Sequence, residues 1–87
     1  MNKPKLGGPL ERVPNPELLP PALIEHIRNL EHELPEERIK AARGIASDPH
    51  PNTLGALNWA LDREENERVR QALWKVWKRV LTKTSEY

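Results

Sequence analysis

The sequence predicts an all-α protein: a four-helix array of two antiparallel helical hairpins behind an extended, proline-rich N-terminal arm. Three observations lead there. Apolar residues recur at spacings of three and four. Prolines stand where helices begin or stop. The stretch ERIKAA at 37–42 returns as ERVRQA at 67–72, thirty positions later. At 87 residues the chain holds one small domain at most.

The arm comprises residues 1–19. Five of the nine prolines (Pro4, Pro9, Pro14, Pro16 and Pro20) lie in the first twenty residues, with Gly7 and Gly8 among them. Proline removes the backbone donor that helices and strands need. Two outcomes are open: a disordered tail, or an arm whose Leu10, Val13, Leu18 and Leu19 pack on the helices or dock on a partner.

Residues 20–83 form the helical part, and 84–87 a short tail. The first helix starts at Pro20–Pro21, because proline suits the first helical position. Leu23, Ile24, Ile27, Leu30 and Leu34 make its apolar stripe. Pro35 opens the second helix, and Glu36 and Glu37 suit the positive end of its dipole. Ile39, Ala42, Ile45 and Ala46 form its buried stripe, and Gly44 permits close approach of a neighbouring helix. Pro49 and Pro51 stop it.

The third helix follows Pro51, with Asn52 or Thr53 as its cap. Leu54, Leu57, Ala60 and Leu61 face inward, and Trp59 lies off that stripe. After the polar turn DREEN, with Asn66 as cap, the fourth helix runs from about Glu67 to Thr82. Val69, Ala72, Leu73, Val76 and Val80 are its core stripe.

Residues 21–46 align with 51–76 at an offset of thirty without a gap. Pro21 meets Pro51, Ile24 meets Leu54, Ile27 meets Leu57, Leu30 meets Ala60, and Ala46 meets Val76. A helix pair repeated at this period marks a helical solenoid. The rival explanation is chance agreement between two amphipathic hairpins, against which the shared proline start and the E-R-[IV]-[KR]-x-A stretch argue.

NTLGALNWAL, a short acidic turn and ERVRQALWKVW together resemble the HEAT-like repeat of phycobiliprotein lyases and of many small bacterial repeat proteins. The resemblance covers residues 21–82, about two repeats, and implies an α-solenoid fragment. It implies that Lys40 and Arg70 pair with an acid of a neighbouring turn, such as Asp48 or Asp62. The lyases are much longer, so their activity does not carry over.

The residues point away from catalysis. Cysteine is absent, which removes thiol chemistry and cysteine-based zinc sites. Ser47 beside Asp48 reads as a turn, and Ser85 lies in the tail. His26 and His32 are six positions apart and cannot share a helix face. The acids Glu31, Glu33, Glu36 and Glu37, and Asp62, Glu64, Glu65 and Glu67, gather at turns and read as solvated. No glycine-rich phosphate loop occurs. The expectation is a non-enzyme without metal, cofactor or small-molecule substrate. No apolar run reaches the roughly eighteen residues of a membrane span. The N-terminus lacks an apolar signal core, so a cytoplasmic location is the default expectation.

What remains is surface. Trp74, Trp77 and Leu81 form a second apolar line on the fourth helix, at i, i+3 and i+7. Either they fold over the core or lie beneath the arm, or they make an interface, where tryptophan is enriched. Trp59 joins that surface or seals the first helix. Lys75, Lys78 and Arg79 make an electrostatic rim, within a basic set that includes Arg68, Arg70 and Lys83. The expected function is a protein–protein interaction or scaffold module binding through this helix, with a homodimer as one form. The alternative is a nucleic-acid-binding module using the same basic helix, against which the net charge of +1 argues. A membrane-surface role for LWKVWKRVLTK and an accessory subunit threading its arm onto a larger enzyme are weaker alternatives.

Overall fold

Proline punctuates the helices as the spacing predicts. A computed structural model describes residues 8–85, the last two by backbone alone. Pro4 and Gly7, named above, lie outside the described residues. Among the described residues there are four α-helices and no strand.

Helix α1 spans Pro21–Arg28 and α2 spans Pro35–Ser47, each with proline in its first turn. Leu23, Ile27 and Leu30 are buried. The α1 stripe stops short of Leu34, which is 53% exposed. The chain tightens into a 3-10 turn at Asn29–Glu31 and then extends. Pro35 enforces this by excluding helical geometry from the residue before it, and Leu34 adopts φ −88°, ψ 128°.

In α2, Ala42 and Ile45 are buried as expected, and Ile39 and Ala46 are half-buried. Ala41, outside the expected stripe, is buried too. The wider buried face arises because α2 packs against α1 and α4 together. The His26 ring lies over Gly44, where an added Cβ would collide with it. An alanine at that position would have to displace the His26 ring.

A 3-10 turn at Pro51–Thr53 leads into α3, Leu54–Arg63. Neither expected cap serves α3. Thr53 is fully buried and its Oγ1 donates to the His50 carbonyl at 2.7 Å, while Asn52 Nδ2 donates to the Pro14 carbonyl at 3.1 Å. The preceding 3-10 turn already occupies the geometry a cap would use. Leu57 and Ala60 are buried, with Ala56 beside them, and Leu54 and Leu61 are half-buried.

Helix α4 spans Glu67–Ser85, three residues past the expected end at Thr82 and into the segment read as a tail. Asn66 is its cap: Oδ1 accepts from the Arg68 and Val69 amides at 3.0 and 3.2 Å. Val69, Leu73, Val76 and Val80 are buried on one stripe. Each fully buried Ile, Leu or Val contributes about 1.5–3 kcal/mol.

The described part of the arm is not simply extended. It forms 3-10 turns at Leu10–Arg12 and Pro16–Leu18. Val13 and Leu19 are buried and Leu10 half-buried, but Leu18 is 68% exposed. The first turn packs on both α1 and α3. There the Arg12 carbonyl oxygen comes within 2.5 Å of where a Cβ on Gly55 would sit. The arm thus fills the space between α1 and α3.

Helices α2 and α4 lie side by side and run in the same direction. At one end Arg38 grips Glu64 in a bidentate pair at 2.8 and 2.9 Å. At the other, Arg79 Nε donates to the Ala46 carbonyl at 3.0 Å, satisfying the end of α2.

Candidate functional site

The pairing expected of Lys40 and Arg70 takes a different form. Lys40 is 71% exposed and reaches only Glu37 of its own helix, at 3.4 Å. Arg70 Nη1 donates to the carbonyls of Leu61 at 2.9 Å and Glu64 at 3.3 Å, capping the end of α3 rather than meeting Asp62. The ion pair across the array is Arg38–Glu64, with side-chain exposures of 19% and 6%. Arg38 also donates to the His32 and Glu33 carbonyls at 2.7 and 3.1 Å. The reason is helical phase. Arg38 shares the buried face of Ala42 and Ile45, whereas Lys40 points to solvent.

Trp74 is 50% exposed and Leu81 is 39% exposed, whereas Trp77 is half-buried against the core. The Trp74 and Trp77 rings stack at 5.1 Å between centroids, with planes 5° apart. Trp77 therefore supports Trp74 from below. Trp74 also lines a shallow groove between α3 and α4 with Leu61, Glu67, Arg70 and Gln71. Trp77 Nε1 is buried without an acceptor. That costs about 1–3 kcal/mol, which a leucine filling the same space would not incur.

Trp59 does not join this surface. It lies on the opposite flank of α3 from Leu61, in a cleft with Leu30, His32, Arg38 and Glu64. The Arg63 guanidinium sits 4.4 Å from its ring centroid. Its placement beside Leu30 matches the alternative in which it seals the end of α1.

Nor do the basic residues surround the tryptophans. At about 100° per residue, α4 places Trp74, Trp77 and Leu81 on one flank and Arg68, Lys75 and Arg79 on the other. Lys75 and Arg79 line a groove between α2 and α4 with Arg43 and Arg68. Lys78 and Lys83 extend it beyond the end of α2, beside Ser47 and Pro49. Arg68, Lys75 and Arg79 thus face a different neighbour from the apolar anchor, while Arg70 stays beside Trp74. Phase on a single helix was legible in the sequence; which neighbour each flank meets was not.

Among the described residues, no cluster of three or more His, Cys, Asp or Glu is placed to hold a metal. His32 Nδ1 accepts from the Leu34 amide at 3.0 Å, and Ser47 Oγ donates to the Arg43 carbonyl at 3.1 Å. Both serve local turns. Among the described residues, no helix is long and apolar enough to cross a membrane. No family model, no curated protein and no solved structure matches the chain.

Proposed function

We propose that this chain is a non-catalytic protein–protein interaction module, a HEAT-like array of two hairpins that docks its partner on the α3–α4 flank. The carrying observation is Trp74, half-exposed and stacked on Trp77, with Leu81 one turn further on. A tryptophan already held by a stacked neighbour loses little freedom on binding, and large aromatic area anchors interfaces. Glu67, Arg70 and Gln71 supply a polar rim.

The HEAT-like reading is supported by matched burial in the first helix of each pair, with Ile27 and Leu57 both buried, and Ile24 and Leu54 both half-buried. The parallel course of α2 and α4 supports it too. A second copy is the partner of first choice. The flank carrying Trp74 faces away from the α2 groove, so a second copy can pack on it without displacing α2.

Sedimentation across a hundredfold concentration range tests this. The wild type is expected to dimerise, and Trp74→Glu to remain a folded monomer. A wild type that stays monomeric throughout excludes self-pairing. Equal dimerisation by the variant removes Trp74 from the interface.

A further inference from the structure

The groove between α2 and α4 shares Gln71 alone with the lining of the proposed interface, and its chemistry is different. Every charged side chain that lines it and its extension is basic: Arg43, Arg68, Lys75, Lys78, Arg79 and Lys83. Its floor is apolar, with Ile39, Ala46, Ala72 and Val76 between the two walls. No acidic side chain lines either part of it.

Helix stability does not account for the set. Cations near the C-terminal end of α4 suit its dipole, but Arg68 stands in the first turn, where the dipole disfavours a cation. Only Arg79 has a structural duty in the groove, at the Ala46 carbonyl. Lys75, Lys78 and Lys83 are exposed.

We infer that this groove binds the phosphate backbone of a single nucleic-acid strand. Length agrees with that occupant. Arg68 to Lys83 covers about 22 Å of helix at 1.5 Å per residue. A strand held at the 3.4 Å spacing it has in a duplex would set about six or seven phosphates along that length. An acidic amphipathic helix is the poorer fit, since a helix in a groove needs sockets for apolar anchors. The exposed large apolar residues, Leu18, Leu34, Trp74 and Leu81, all lie outside the groove. No aromatic residue lines it, so the contact reads phosphates and tolerates any base sequence.

The test is fluorescence anisotropy with a labelled twelve-nucleotide oligothymidylate at several salt concentrations. Six phosphate contacts on a single strand predict a log–log salt slope of about −4, roughly a 300-fold loss between 50 and 200 mM salt. The triple variant Lys75→Gln/Lys78→Gln/Lys83→Gln should halve the slope to about −2 and weaken binding at 50 mM at least tenfold. Circular dichroism checks that the variant folds. Trp74→Glu should bind the oligonucleotide like the wild type, which separates this groove from the dimer flank. A slope shallower than −1, or a triple variant that binds like the wild type, overturns the inference. So does capture of a labelled twelve-residue polyglutamate peptide without capture of the oligonucleotide, which would assign the groove to an acidic protein segment.

Discussion

Helices α2 and α4 carry related stretches thirty positions apart, yet they bury different faces. Ile45 is fully buried, and Lys75, its counterpart, is exposed. Ala41 is buried, and Gln71 is exposed. The first helices of each pair behave otherwise: Ile27 and Leu57 are alike, as are Ile24 and Leu54. The difference follows from position. Helix α2 is packed between α1 and α4, so apolar side chains are needed over a wide arc. Helix α4 meets α2 and α3 and turns the rest of its circumference outward. Sequence correspondence therefore carries the helix pattern, while the placement of the neighbours around each helix decides which positions go dry.

Paired substitutions sharpen the comparison, and the largest effect lies at its centre. Ile45→Ala should destabilise the fold by about 2–5 kcal/mol in urea unfolding. Lys75→Ala should stay within about 0.5 kcal/mol. Equal losses at the two positions would break the account of α2 as the enclosed helix.

The next effect separates Arg38 from Arg68, again thirty apart. Arg38→Ala removes the bidentate bond to Glu64 and two carbonyl contacts, and should cost about 2–3 kcal/mol by the same measurement. Arg68→Ala should change stability by less than about 0.5 kcal/mol, since Arg68 acts from the groove wall.

The smallest effect concerns how the two helices begin. Helix α4 has the Asn66 cap, and Asn66→Ala should cost about 1 kcal/mol. Helix α2 begins at Leu34 without a side-chain cap. Leu34→Ser should raise stability by about 0.5–1 kcal/mol, read as a higher urea midpoint at unchanged slope. A loss at Leu34 instead would show that its exposed side chain supports the fold.

Much of the fold was legible. Proline and periodicity place four helices, and the Val69–Leu73–Val76–Val80 stripe and the Asn66 cap stand where the spacing predicts. Less of the candidate site was legible. Trp74 and Leu81 are exposed as the helix-four pattern allows, but Trp59 faces another cleft and the basic set lines another groove. The Arg38–Glu64 pair was missed because its partners are 26 positions apart and no local pattern links them.

By itself the chain determined where helices start, stop and turn an apolar stripe inward. A proline locks φ, an asparagine caps an amide, and a 3.6-residue period selects a face; each acts within about ten residues. Tertiary structure alone decided that the arm fills the space between α1 and α3, that Arg38 rather than Lys40 bridges the array, and that Arg68, Lys75 and Arg79 line a groove against α2 while Trp74 lines one against α3. Those outcomes depend on which helices abut, and that is set by the packing of the whole chain rather than by any segment of it.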